Sequence, residues 1–136
     1  MTAVSWSSVT TLPPDPRSSR AARGIVSDWC SRHGVDGDAV DTAVLLTAEL
    51  VTNAVLHGRS EVVLRLRRTA TRIRVGVGDE NSRVPQRGPL DPDALNGRGM
   101  ALVETLADAH GVDVDPGGKT VWFDVATEPA RHAVPA

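Results

Sequence analysis

The chain has 136 residues, of which 24% are charged and 40% hydrophobic, as expected for an ordinary soluble globular domain. Its net charge of −2 argues against broad, sequence-independent nucleic-acid binding, which needs a surplus of lysine and arginine. The single cysteine, Cys30, cannot form an internal disulfide and is interpreted as a small buried residue. The sequence starts without a signal-peptide pattern, and no apolar run approaches a transmembrane length, so we predict a cytoplasmic protein without a membrane segment.

The first half of the chain is predicted to hold one short strand and two helices. The strand is placed at Val4 to Val9, before a proline-bearing extended stretch. Apolar residues then recur at helical spacing from Ser19 to His33, which predicts an amphipathic helix. Asp36 or Asp38 can cap a second helix, and Gly58 ends it.

The second half is predicted to hold two hairpins separated by a long loop and a helix. Glu61 to Arg68 and Arg72 to Gly78 alternate apolar and polar residues, which is typical of an antiparallel hairpin. Asn81 to Gly99 is rich in Pro, Gly and Arg and is interpreted as a functional lid or loop. A third helix is predicted over Met100 to Ala109, and a second hairpin over Val112 to Val125.

This order of elements predicts an α+β fold, a two-layer sandwich with a mostly antiparallel sheet and helices on one face. We divide the chain into an N-terminal extended segment (1–18), one domain (19–126) and a disordered tail (127–136). The outer strand face is rich in arginine and is either a solvated surface or a docking surface for an acidic partner or a second subunit. The arginines concerned are Arg65, Arg67, Arg72 and Arg74.

The second helix carries a polar stripe that a simple core helix would not need. Glu49, Asn53 and His57 are spaced i, i+4 and i+8, so they lie along one face. The amide oxygen of Asn53 suits Mg²⁺, while Glu49 can hold a water of the ion or accept a proton. The alternative is a solvated helix face that ends in a histidine, and we leave the role of His57 open.

Two further elements point to a nucleotide. Asp79 ends an apolar strand, where its carboxylate can accept a hydrogen bond from an exocyclic amine such as that of adenine. The alternative is an aspartate that merely starts a turn. Gly97-Arg-Gly99 leads into a helix whose N-terminus can bind phosphate, although a flexible loop end would look the same.

Taken together, these motifs resemble the GHKL ATPase superfamily. Within it they are similar to the histidine-kinase-like ATP-binding domain of bacterial anti-sigma factors, the serine kinases of partner-switching systems. The resemblance covers Ala21 to Val125. Glu49 to His57 corresponds to the N box, Asp79 to Pro85 to the first glycine box, and Gly97 to Val103 to the second. The first glycine box departs from the wider superfamily because it lacks the usual glycines.

The resemblance implies a role for each matching residue. Glu49 is expected to be the catalytic base or water-positioning acid, Asn53 the Mg²⁺ ligand, and Asp79 the residue that binds the 6-amino group of adenine. Thr120 is expected to help fix a water molecule on the adenine side. Contacts to the phosphates are expected from the glycine segment, Gly97, Arg98, Gly99 and Met100.

The function implied is that of an ATP- and Mg²⁺-dependent serine/threonine protein kinase. It would sequester a sigma factor and phosphorylate an anti-anti-sigma protein, without binding nucleic acid or a membrane itself, and a homodimer is possible. One alternative is a non-catalytic, nucleotide-gated regulator that captures a partner. Another is a small structural domain whose motifs are coincidental.

Overall fold

The computed structural model describes residues 6–58, 60–79 and 95–127. These residues form a five-stranded sheet of strand order β1-β2-β3-β5-β4, in which every neighbouring pair is antiparallel. The predicted α+β architecture is therefore confirmed. The elements in chain order are β1 Ser8–Leu12, α1 Arg17–Arg32, α2 Asp38–Gly58, β2 Val62–Arg68, β3 Arg72–Asp79, α3 Leu95–Leu106, β4 Ala109–Asp115 and β5 Gly118–Ala126.

One face of the sheet forms the core, because alternate strand residues point to the same side. In β3 these are Ile73, Val75 and Val77, all at most 3% exposed. Their partners on β5 point to the same face of the sheet and are also buried: Val121, Phe123 and Val125. Helix α2 packs on β2, β3 and β5, and both α1 and α3 pack against α2. The helices therefore cover this face of the sheet.

Left-handed glycines mark the junction between α1 and α2. Gly34 has φ +72° and follows the end of α1, as predicted for a helix stop. Gly37 has φ +68°, and α2 begins at the next residue, Asp38. Asp38 and Asp41 place negative charge in the first turn of α2, where it interacts favourably with the helix dipole and stabilises the helix. The boundaries of α2 thus agree with those predicted.

Helix α2 is apolar enough to meet the criteria for a membrane span, contrary to our expectation from the sequence. Its stretch Asp38–His57 has 20 residues and a mean hydropathy of 1.5. The helix nevertheless packs against α1, α3 and three strands of the sheet. A central helix that is covered on several sides is apolar because of this packing, so its composition does not identify it as a membrane span.

Three predicted elements have boundaries that differ from the structure, because the second hairpin also begins earlier than predicted, at Ala109. Of the strand predicted over Val4 to Val9, residues 4 and 5 lie outside the described residues, and β1 is Ser8–Leu12, because Leu12 is buried in the core and the strand pairs in register with β2. The third helix runs over Leu95–Leu106, so it takes in the last five residues of the predicted loop. It stops before Ala109, which pairs with β5 instead. In each case pairing with another strand overrides the local pattern.

The predicted Cys30 and arginine placements agree with the structure. Cys30 is fully buried in α1, and this burial raises the pKa of its thiol to about 11.

Arg74 lies on the uncovered face of the sheet, with its guanidinium 3.8 Å from the centre of the Trp122 ring. Its Nε donates to Oδ1 of Asp124 at 2.7 Å, and Arg72 also bonds this carboxylate. The aspartate is 5% exposed, so part of the arginine-rich face has a structural role.

Two adjacent leucines of α2 test the packing of this helix. Leu46 is fully buried, whereas Leu45 is 41% exposed. We expect Leu46→Ala to lower the free energy of unfolding by about 2–5 kcal/mol, because it leaves a cavity in the core. Leu45→Ala is the matched control and should change it by less than about 1 kcal/mol. Urea unfolding measures both, and equal effects would show that the buried face of α2 is misassigned.

Candidate functional site

Glu49 and Asn53 lie where the buried face of α2 meets its exposed side. Both are partly buried and one helical turn apart, whereas His57 is exposed near the end of the helix. Thr52 belongs to a different side, because its Oγ1 donates to Oγ of Ser19 in α1 at 3.2 Å. The buried face itself consists of Ala39, Ala43, Leu46, Thr47, Leu50, Val51 and Ala54. The polar stripe predicted from the sequence is therefore reduced to Glu49 and Asn53.

The side-chain oxygen of Asn53 is buried on α2. Its Oδ1 is buried and accepts no bond from the described part of the chain. An unsatisfied buried acceptor costs roughly 1–3 kcal/mol. The hydroxyls of Thr47 and Thr127 are also buried without a partner among the described residues, so it is the chemistry of its amide that distinguishes Asn53. A neutral amide oxygen is a ligand that Mg²⁺ prefers. The amide oxygen of Asn53 is therefore suited to bind a metal ion that arrives already bound to another ligand.

The described residues do not form a complete metal site of their own. They contain no group of three or more His, Cys, Asp or Glu side chains arranged to hold a metal ion. Mg²⁺ commonly binds through one or two protein ligands, with phosphates and waters completing its octahedral shell. Asn53 with the neighbouring carboxylate of Glu49 suits this second mode, in which the ion arrives with a nucleotide.

Asp79 forms a nearly buried ion pair with Lys119. The strand register places the two residues opposite each other on β3 and β5. Lys119 Nζ donates to both Asp79 Oδ1 and Oδ2 at 3.0 Å. The side chain of Asp79 is only 5% exposed and that of Lys119 only 10%. Asp79 shares the parity of Val77, so the pair lies on the helix-covered side of the sheet.

Thr120 lies on the other face of the sheet. Thr120 and Trp122 are two residues apart on β5, so their side chains point to the same face. The guanidinium of Arg65 donates to Oγ1 of Thr120 at 3.4 Å. Both residues line a cavity of about 220 Å³ at this end of the sheet, and its lining also includes Asp79 and Lys119. The side chains of Thr120 and Asp79 leave the sheet on opposite faces, although both residues border this cavity. The reason is the two-residue period of a strand, which sends neighbouring side chains to opposite faces.

The Gly97-Arg-Gly99 segment belongs to α3 and does not precede it. Gly97 is the third residue of the helix, so its backbone lies in the first turn, where amide groups lack partners within the helix. These groups and the helix dipole favour an anion. Met100 is 9% exposed and part of the hydrophobic core, which leaves its side chain little access to a ligand. The side chain of Arg98 lies outside the part of the chain that the structure describes.

Several predicted site residues lie outside the described part of the chain. The first glycine box continues from Asp79 to Pro85, and the predicted lid from Asn81 to Gly99. Of these residues, only Asp79 and those from Leu95 onward are described. The geometry is therefore defined on α2, at the end of β3, at the start of β5 and in α3.

Sequence reasoning missed Lys119 as a site residue. A usable signal was present, because Lys119, Val121 and Phe123 alternate along β5. The last two are buried against the helices, so parity places Lys119 on the same face. The neighbouring Thr120, which the family resemblance indicates, points to the opposite face of the sheet.

The amide oxygen of Asn53, the carboxylate that ends β3 and the first turn of α3 are groups that can contact a ligand. A family model for the histidine kinase-like ATPase domain matches residues 12–125. The chain therefore belongs to this family, whose members are ATP-binding domains with ATPase or kinase activity. No curated protein sequence matches the chain significantly.

Solved structures support the same fold. One neighbour is the structure of the RsbU and RsbW domains of Rv1364c from Mycobacterium tuberculosis, with a TM-score of 0.67 and 20% identity. The match covers 90% of this chain and 34% of that one. Another is a blue-light activated histidine kinase from Erythrobacter litoralis, with a TM-score of 0.50 and 20% identity over 82% of this chain and 42% of the other. The chain thus spans less than half the length of each neighbour.

Proposed function

We propose that this protein is an ATP- and Mg²⁺-dependent serine/threonine kinase of a partner-switching system. It would sequester a sigma factor and phosphorylate an anti-anti-sigma protein in the cytoplasm. Membership of the histidine kinase-like ATPase family supports the nucleotide, and the fold shared with a protein that contains an RsbW domain supports the partner-switching role. The observation that carries the proposal is the buried Oδ1 of Asn53, which accepts no hydrogen bond from the described residues and lies one turn after Glu49.

Each residue has a chemical task in this proposal. Asn53 holds the metal of the nucleotide complex through its amide oxygen, and Asp79 accepts a hydrogen bond from the 6-amino group of adenine. The first turn of α3, which contains Gly97, binds phosphate through backbone amides. When bound, Mg²⁺ neutralises negative charge on the phosphates.

Glu49 carries the catalytic part of the proposal. Its carboxylate, one turn before the metal-binding amide, accepts the proton of the attacking serine or threonine hydroxyl. Phosphoryl transfer depends mainly on positioning and on charge stabilisation, so a rigid helix that holds both side chains suits the reaction. The other proposed contacts serve nucleotide binding whether or not transfer follows.

The partners are tested by co-purification and by transfer assays. Tagged protein is isolated from its native cells with and without ATP, and bound proteins are identified by mass spectrometry. We expect a sigma factor to be enriched with ATP, together with a small antagonist protein. Radiolabelled ATP and this antagonist should then give phosphoserine or phosphothreonine on the antagonist only.

A defined outcome separates this function from simple nucleotide binding. Transfer of label to the antagonist, lost when Glu49 is changed, supports the kinase. Capture of a partner that depends on ATP, with no transfer at all, supports a non-catalytic nucleotide-gated regulator instead. Sedimentation of the same samples tests the possible homodimer.

A further inference from the structure

The contact between Asp79 and Lys119 adds a charge to the proposed base-binding site. Asp79 is the residue to which the proposed function assigns the adenine amine. In the structure both of its carboxylate oxygens accept hydrogen bonds from Lys119 at 3.0 Å. Both side chains are at least nine-tenths buried, so a base that reaches Asp79 also meets the ammonium group.

The ion pair matches the hydrogen-bonding edge of adenine. This edge carries a donor, the 6-amino group, beside an acceptor, the ring nitrogen at position 1. Asp79 offers an acceptor beside the donor of Lys119, so the two patterns are complementary. A lysine ammonium has three donors and a carboxylate about four acceptor sites, so these groups are of a kind that can bond each other and a base at the same time.

We propose that Lys119 is a specificity-determining residue that donates a hydrogen bond to ring nitrogen 1 of adenine. This inference rests on the proposed function, because it assumes that Asp79 binds the base. The ion pair holds the ammonium group in place before the nucleotide arrives, which lowers the entropic cost of forming this bond. Lys119 and Asp79 then read adjacent positions of the same base.

The test compares ATP with 1-deaza-ATP, in which a C–H replaces ring nitrogen 1. Calorimetry in the presence of Mg²⁺ gives the dissociation constant of each nucleotide. A hydrogen bond from a charged group typically contributes enough to make the wild-type protein bind 1-deaza-ATP roughly 10–100-fold more weakly than ATP. In Lys119→Met this difference should fall to about threefold or less, because no donor is left to lose.

Two controls keep the outcomes distinct. Arg67→Met removes a cation from β2, opposite Arg74 and outside the lining of the cavity beside Asp79, and should preserve the wild-type preference for ATP. Lys119→Gln retains a neutral donor and should preserve part of it, and it serves if the methionine variant does not fold. Absence of ATP binding by the wild type would defeat the proposed function. ATP binding with equal affinity for 1-deaza-ATP would overturn the role of Lys119 alone.

Discussion

Replacing Asn53 with leucine is expected to abolish ATP–Mg²⁺ binding without destabilising the free protein. The two side chains are similar in size, but leucine has no oxygen for a metal. Loss of an outer-shell partner already weakens metal sites roughly 10–100-fold, so loss of a direct ligand should weaken ATP–Mg²⁺ binding by at least that factor. Calorimetry with ATP and Mg²⁺ measures this change.

The same variant is expected to be at least as stable as the wild type in the absence of nucleotide. Asn53 Oδ1 is buried and has no donor within residues 6–58, 60–79 and 95–127, and removing such an atom relieves a penalty of roughly 1–3 kcal/mol. Urea unfolding without ATP measures the change. Leu45→Asn is the matched control, since it places an amide at an exposed position of the same helix and should leave ATP binding unchanged.

This pair of measurements separates a functional asparagine from a structural one. Weaker binding together with unchanged or increased stability would identify Asn53 as a residue retained for its ligand, at a cost in stability. A large loss of stability in Asn53→Leu would instead show that its amide supports the fold. Tight ATP–Mg²⁺ binding by the variant would contradict the proposed metal contact.

Replacing Glu49 with glutamine is expected to remove phosphoryl transfer while ATP remains bound. Glutamine keeps the size and hydrogen-bonding reach of the side chain but does not accept a proton at neutral pH. General-base catalysis contributes roughly 10²–10⁴-fold, so the transfer rate should fall by a factor in this range. Single-turnover transfer of label to the antagonist measures the rate, and calorimetry confirms that ATP is bound.

Asp41→Asn provides the control for the charge change. Asp41 is exposed in the first turn of α2, so its substitution removes the same charge from the same helix, away from Asn53. Its transfer rate should equal that of the wild type. Unchanged transfer in Glu49→Gln would refute the assigned base. Partner regulation in cells that survives Glu49→Gln but fails in Asn53→Leu would favour the non-catalytic regulator.

Much of the fold follows from local patterns that need no tertiary information. Helix α2 has a long helical repeat, and the residues at its two ends, Asp38 and Gly58, agree with the predicted start and stop. The hairpin of β2 and β3 alternates apolar and polar residues because one face is buried. These elements could be predicted because periodicity and turn chemistry are properties of short segments.

The elements predicted wrongly depend on distant partners. Strand β1 is placed by its pairing with β2 and by burial of Leu12, neither of which is visible in residues 4–9 alone. The end of α3 is set by β5, since the backbone amide of Asp108 donates to the carbonyl of Asp124 at 2.8 Å. Such contacts join residues far apart in the chain, so a local window does not contain them.

The sequence by itself determined the order of the elements, the α+β class and the spacing of Glu49 and Asn53 on one helix. Only the tertiary structure decided how these residues are used. It buries the oxygen of Asn53 where none of the described residues donates to it, and it pairs Asp79 with Lys119 while the side chain of Thr120 lies on the other face. The physical reason is that helical spacing is fixed within one segment, whereas burial and hydrogen-bond partners are set by the elements that pack around it.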